Sequence, residues 1–247
     1  MSAFSWLRAN ALLNFNQVER DRWVRAQAAS VAPGSRVLDV GAGSAPYRQD
    51  FAHCEYRTHD FGKLEPGQLL DRGYSRIDYL SDATALPVEA ASFDVILCTE
   101  VLEHVPDPAA VVREFARVLK PGGRVILTAP LGSGLHQEPF HFYGGYTPFW
   151  YERFLGEAGF ERIEVEANHG SFRFFGQECL RFVRSSIPWR LPMPLLLRML
   201  WLPLWALLFP LLALLLPVLC TLLDRFDRER RFTVGYHVTA ARRASAT

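Results

Sequence analysis

Cysteine is scarce and scattered in this 247-residue chain: Cys54, Cys98, Cys179 and Cys220 are its only four, and no two form a CxxC pair. That spacing excludes a zinc knuckle and a disulfide framework, and it makes a reducing compartment the default. Net charge is nearly absent too, at +1, so there is no electrostatic ground for expecting nucleic acid as a partner. The start of the chain lacks the unbroken apolar core of a signal peptide, because Arg8, Asn10, Asn14, Asn16, Glu19 and Arg20 interrupt it. Residues 1–30 read instead as an amphipathic helical cover for a sheet. No internal repeat is visible. With 49% apolar residues the composition excludes general disorder, and much of that apolar content falls in one stretch, between Leu191 and Leu223.

What the sequence does have is an alternation of short apolar runs with helical spacing. After the Pro33-Gly34 turn, Arg36 to Val40 reads as a short buried strand ended by Gly41-Ala42-Gly43. Further strands are expected over Glu55 to Phe61, Arg76 to Leu80, Phe93 to Thr99 and Arg124 to Thr128. The run FDVILCT is almost wholly apolar, as a central parallel strand requires. Pro108 to Leu119 carries Val111, Val112, Phe115, Val118 and Leu119 on one side and stops at Pro121-Gly122-Gly123, the pattern of an amphipathic helix. Thr147 to Ala158 reads as another helix, Glu161 to Ala167 as a sixth strand and Phe232 to Ala240 as a seventh. Strands alternating with helices point to an α/β fold: a Rossmann-like seven-stranded sheet with helices on both faces. The expected organisation is a cover over 1–30, a core over 31–170, an apolar insertion over 171–231, and the last strand with a tail over 232–247.

The strongest local signal is VLDVGAG, residues 37–43. A strand that runs into a glycine turn lets backbone approach a nucleotide where side chains would clash. Asp60 stands nineteen residues after Gly41, at the expected end of the second strand, where a carboxylate accepts hydrogen bonds from ribose hydroxyls. A dinucleotide site needs a third glycine at the helix start, and Pro46 stands there in GAGSAP, which disfavours NAD and FAD.

With Ser81-Asp82-Ala83, Leu86-Pro87, FDVILCTEVLEHV and LKPGGRVILTAP in consistent order, residues 37–167 resemble the class I S-adenosylmethionine-dependent methyltransferases of the "type 11" group. The resemblance implies S-adenosyl-L-methionine as cofactor. It implies contacts from Asp39, Gly41, Ala42 and Gly43 to the methionine part, from Asp60 to the ribose and from Asp82 and Ala83 to the adenine. Glu100 would lie beside the reactive sulfonium.

Methyl transfer from a sulfonium is an in-line displacement in which the protein aligns the acceptor, excludes water and, for a hydroxyl acceptor, removes a proton. Residues just beyond the fourth and fifth strands are the candidates: Glu100, His104, His136 and His141. If the segment turns helically, Glu100, Glu103 and His104 share one face and converge on a divalent cation. This ExxEH pattern resembles that of metal-assisted O-methyltransferases acting on quinone precursors or RNA ends. The metal-free alternative uses His141 or His136 as general base, with ExxEH only capping and shaping the pocket. Phe140 to Tyr151 (FHFYGGYTPFWY) reads as an aromatic lid with a Gly144-Gly145 hinge, or simply as packing for a helix start.

From Met199 to Leu223 there is no charged residue. As one helix this stretch would measure ~37 Å, more than a bilayer's hydrocarbon core of roughly 30 Å. Pro203, Pro210 and Pro217 would kink or break it. Trp189, Trp201 and Trp205 lie toward its start, and arginines flank both ends. Both flanks therefore prefer the cytosol, and the seventh strand must return to the sheet. These constraints favour monotopic or re-entrant attachment through residues 187–223 at the cytoplasmic face of a membrane, with the catalytic part in the cytosol. The expected function is O-methylation of a lipid, quinone-type or lipid-linked saccharide acceptor. A soluble acceptor, a non-catalytic cofactor-binding scaffold and a buried dimer interface are the alternatives.

Overall fold

In the computed structural model, residues 14–69 and 73–244 are described. They divide into two compact units. One comprises Arg20–Glu166 with residues 235–244, and the other comprises residues 14–19 with Ala167–Val234. This division passes within the N-terminal helix.

The larger unit holds the sheet. Its strands are β1 (Arg36–Val40), β2 (Glu55–Asp60), β3 (Tyr79–Leu80), β4 (Phe93–Thr99), β5 (Leu119–Pro130), β6 (Phe160–Ala167) and β7 (Gly235–Arg242), in the order β3-β2-β1-β4-β5-β7-β6. β1 pairs in parallel with both β2 and β4, and β4 with β5, whereas β7 runs antiparallel to β5. The sheet is thus mixed. Its order reverses between β1 and β4, and ligands of open α/β sheets bind in the crevice that opens beyond the carboxyl ends of strands at such a reversal.

Helix α1 (Phe15–Ala29) places Val24 and Ala28, one turn apart, in a fully buried cluster with Val37, Val95, Leu97 and Ile126 of the central strands. Helix α2 (Pro108–Val118) begins at Asp107, whose carboxylate accepts from the Ala110 N–H, with proline at its first position. It buries Val111, Val112, Phe115 and Val118, one apolar stripe. Helix α3 (Pro148–Glu157) repeats the device, with Thr147 as its cap. The Pro121-Gly122-Gly123 turn does not separate helix from strand. β5 begins at Leu119, and the turn is absorbed as a bulge in the pairing between Phe93↔Leu119 and Val95↔Arg124. The third strand shrinks to two residues because Thr58 takes Arg76 O and the Asp78 N–H in irregular bonds. The seventh starts three residues later than expected, at Gly235, where a Cβ would stand 2.7 Å from the Ala129 carbonyl oxygen.

The smaller unit is a helical hairpin. Helix α4 (Ser171–Ser185) packs against a continuous helical run from Leu195 to Phe226, made of α5 (Leu195–Pro210), a π turn (Leu211–Leu215), α6 (Leu216–Leu223) and a final 3₁₀ turn. The three prolines therefore do not fragment the run. A π turn directly after Pro210 absorbs the carbonyls that proline leaves unbonded. Nor does the run fold back on itself; its hairpin partner is α4. Gly176 lets α4 approach closely, since a Cβ there would lie 3.2 Å from the Cys220 Cβ and 3.3 Å from the Pro217 Cα. Farther along, Leu180 and Val183 pack on Ala213, with Trp205 and Leu212 beside them. Trp201 Nε1 donates to Ser186 O at 2.8 Å. At the base, Asp224 accepts from the N–H groups of Gly170 and Arg173, and Asp227 from Ser171 N. The N-terminal donors of α4 that helix geometry leaves without partners are thereby satisfied by two carboxylates remote in sequence.

Candidate active site at the carboxyl edge of the sheet

β1 ends in the glycine turn. Gly41 has φ +74°, and a Cβ there would fall 2.3 Å from Val101 Cγ2. Gly41 N and Ala42 N both donate to His59 O at 2.9 Å, stitching the turn to the end of β2. Gly43, at φ +53°, donates its N–H to Asp60 Oδ2 at 3.0 Å, and Gly62 N donates to Asp60 Oδ1 at 2.9 Å. Each carboxylate oxygen keeps a lone pair for further donors. A backbone turn without side chains next to a fixed carboxylate fits the ribose and methionine portions of a nucleotide such as S-adenosylmethionine.

Asp39 lies beneath this turn, 2% exposed, and accepts a short hydrogen bond from the Tyr56 hydroxyl. Burial pushes its carboxyl up to about 7, against the Tyr56 bond and with the help of neighbouring Asp60. Asp82 and Ala83 follow β3 on the same edge, where Ser81 N donates to Asp60 O. The Asp82 carboxyl is held below its ordinary value by the Thr84 backbone N–H and hydroxyl.

Glu100 is the first residue beyond β4 and sits at φ +54°, a conformation that side chains other than glycine rarely hold without support. Its Oε1 accepts from Thr128 Oγ1 at 2.9 Å, and its Oε2 lies 3.2 Å from Arg20 Nη1. Burial lowers the Arg20 pKa, but Glu100, Tyr47 and Asp21 together outweigh it and raise it, so the guanidinium stays charged. Glu100 is therefore engaged by Arg20 and Thr128 and does not complete the expected Glu100–Glu103–His104 set.

The residues that do converge are Glu103, His104 and His136, each with a ligand atom within 4.8 Å of the others. Glu103 is 1% exposed, and its Oε2 has no hydrogen-bond partner. Burial, reinforced by Glu100, raises its carboxyl well above the usual range. His104 Nδ1 lies 2.6 Å from Phe140 O, so it donates there, and bare Nε2 lies 3.7 Å from Glu103 Oε1. Burial, with His136 and His141 nearby, lowers the His104 pKa to about 4. The His136 ring centroid is 4.7 Å from that of His104 and 4.6 Å from that of His141, which in turn meets Ser133 Oγ at 3.0 Å. A buried carboxyl grouped with the imidazoles of His104 and His136 is a donor set that suits a divalent cation.

The aromatic segment divides into two halves. Phe140 stacks edge-on against Phe61 at 5.1 Å, and Gln68 and Gln137 exchange backbone contacts between the two loops. Phe142 and Tyr143 are exposed, their N–H groups donating to Glu103 O. Tyr146 and Tyr151 are buried, and Tyr146 donates to Leu102 O. At Gly145 a Cβ would stand 2.2 Å from the Leu131 carbonyl oxygen, so glycine is required there for close approach. Arg20 and Tyr56 are absent from the site read from the sequence, and Phe140 entered it only as part of the aromatic lid. Each joins through a contact over 17 residues or more, which no local motif marks.

With this geometry in hand, comparison with known proteins adds that residues 38–127 match the family model for a methyltransferase domain, and that the fold is the one solved methyltransferases share. Among curated relatives, the chain is 36% identical over 107 residues to a ubiquinone biosynthesis O-methyltransferase of Idiomarina loihiensis, covering 38% of this chain and 42% of that one. It is 34% identical over 125 residues to a demethylmenaquinone methyltransferase of Clavibacter sepedonicus, covering 49% and 51%. The chain thus spans about half or less of the length of these relatives. Among solved structures, phosphoethanolamine N-methyltransferase 2 of Haemonchus contortus superposes with a TM-score of 0.53 at 19% identity, covering 92% of this chain and 53% of that one. That likeness concerns the fold.

Proposed function

We propose that the protein transfers a methyl group from S-adenosylmethionine to a hydroxyl of a quinone-type or other lipid acceptor at a membrane surface. The observation that carries this reading is the convergence of Glu103, His104, His136 and His141 just beyond β4, beside the glycine turn and Asp60. Support for the acceptor class comes from the quinone-pathway names of the sequence relatives and from the exposed aromatic rim of Phe142 and Tyr143.

S-adenosylmethionine, when bound, supplies an electrophilic methyl carbon, and the chain supplies alignment and proton removal. Gly41, Ala42 and Gly43 bring backbone to the methionine part, Asp60 takes the ribose hydroxyls, and Asp82 with Ala83 borders the adenine. Glu100, fixed by Arg20 and Thr128, presents its carboxyl group beside the sulfonium. His141 accepts the proton of the acceptor hydroxyl; in the cation-free form His136 next to it can do the same. Phe140 O holds the His104 Nδ1, which leaves its Nε2 on the side of Glu103. Glu103, His104 and His136 would hold a divalent cation, whose chemistry is to bind the acceptor oxygen and lower its pKa.

The test is methyl transfer to an isoprenoid hydroquinone bearing a free ring hydroxyl, with and without chelator. Turnover that chelator abolishes and magnesium or zinc restores supports the cation-assisted form. Turnover indifferent to chelator assigns the step to His141 or His136 alone. Cofactor binding with no transfer to any hydroxylated acceptor contradicts the reading and favours a scaffold.

A further inference from the structure

We infer that the helical hairpin formed by α4 and the Leu195–Phe226 run lies flat within one leaflet of an anionic lipid membrane and does not cross it. This rests on the reading that the acceptor is met at a membrane. The long helix has no polar side: Met199 to Leu223 carries no charge, its mean hydropathy reaches 2.6, and only 17% of its most apolar window is buried. The positions turned inward recur at alternating intervals of three and four, as at Trp201, Trp205, Leu208 and Leu212, and those between them are exposed leucine, phenylalanine, methionine, valine, alanine or proline. A helix apolar over its whole circumference demands hydrocarbon or protein around it.

Register decides how it meets that hydrocarbon. α4 runs antiparallel beside the long helix, with Gly176 against Pro217 and Cys220, and Val183 against Ala213 and Trp205. Arg184 lies between Val183 and Ser186, which accept from Trp205 and Trp201, so it falls inside the uncharged stretch near its start, and Arg181 lies almost a turn deeper; both are exposed. A hairpin crossing the bilayer would carry both guanidinium groups into the hydrocarbon, where charged side chains are costly.

Lying flat removes the conflict. Arg173, Gln177, Arg181 and Arg184 fall on one edge of α4 at helical spacing, while Phe172, Phe175 and Phe182 fall on another and are exposed. The first edge reaches the headgroups, and the aromatic edge enters the acyl chains with the leucines. Charge fits the partner: residues 170–231 hold nine arginines against four acidic residues, and Asp224 and Asp227 are spent on capping α4. Exposed Trp189, in the connection between the two helices, suits the interface.

The test uses the full chain, floated with phosphatidylcholine vesicles with and without phosphatidylglycerol. It also uses inside-out membrane vesicles from expressing cells, labelled with an impermeant maleimide at S185C in a C54S background. Flotation is expected only with phosphatidylglycerol, weakened at least ~10-fold by R181E/R184E or by 0.5 M salt, as surface charge attraction requires. S185C is expected to label fully without detergent. Labelling only after detergent means that the hairpin crosses: flat docking fails and membrane attachment stands. Flotation of R181E/R184E equal to that of the unaltered chain also overturns the proposal, provided circular dichroism shows both folded. No flotation on any vesicle, with a dimeric mass in detergent-free buffer, means that a second copy covers the leucines. Both the flat docking and the membrane reading then fall, while methyl transfer is judged by its own assay.

Discussion

The carboxyl edge of the sheet and the helical hairpin depart from the inside–outside rule in opposite directions. At the sheet edge, Asp39, Asp60 and Glu103 are buried at 3% exposure or less. In the hairpin, Leu195, Leu196 and Leu207 stand 70% or more exposed. A buried carboxyl without full compensation and an exposed leucine face both lower the stability of the isolated chain. In the proposed function each becomes favourable once its complement arrives: donors and a cation in the first case, hydrocarbon in the second. On that proposal, the departures from the rule mark where the fold is completed by something other than itself.

The largest expected effect lies at the sheet edge. Gly41→Val places a branched Cβ against Val101 at a positive φ, and S-adenosylmethionine affinity by calorimetry should fall at least ~100-fold. Gly67→Ala, in open space, should leave it unchanged. Next comes Glu103→Gln, which keeps shape and hydrogen-bonding capacity but cannot ionise. Turnover should fall ~100-fold or more, within the range of general acid–base and electrostatic groups, while the melting temperature holds or rises.

The third prediction concerns pH. Asp39 holds its proton up to about 7 in the folded state and to near 3.9 unfolded, so between these values the native state binds more protons. Its contribution to stability is full below pH 4 and declines as pH rises toward 7. Asp39→Asn should flatten that slope by a few kcal/mol across the window, read from urea midpoints. The smallest effect is in the hairpin. Trp201→Phe removes the bond to Ser186 O and should cost about 1 kcal/mol, lowering helical content without changing cofactor affinity. A hairpin variant that altered cofactor affinity as strongly as Gly41→Val would dissolve the contrast between the two regions.

Much of the sheet was legible because its signals are local. Phe93 to Thr99 is an uninterrupted apolar run and forms a strand with those bounds, and Pro108 marks the start of its helix through its restricted φ and a preceding aspartate. The glycine turn and Asp60 were legible as a spacing. Long-range pairing was not: the Arg20–Glu100 contact joins residues eighty apart and withdraws Glu100 from the cation set that ExxEH suggests. His136, in contrast, is brought into that set by a loop whose course no periodicity encodes. The apolar run announced its composition, yet its partner did not show, because α4 pairs through Gly176 and a few small or apolar residues within a charged sequence.

The most direct measurement of the central claim is transfer of labelled methyl from S-adenosylmethionine into total cell extract, counted separately in organic and aqueous phases. Organic-phase label that disappears in Gly41→Val and Glu103→Gln is the predicted result. Cofactor binding with no label in either phase, given a complete acceptor pool, would contradict it.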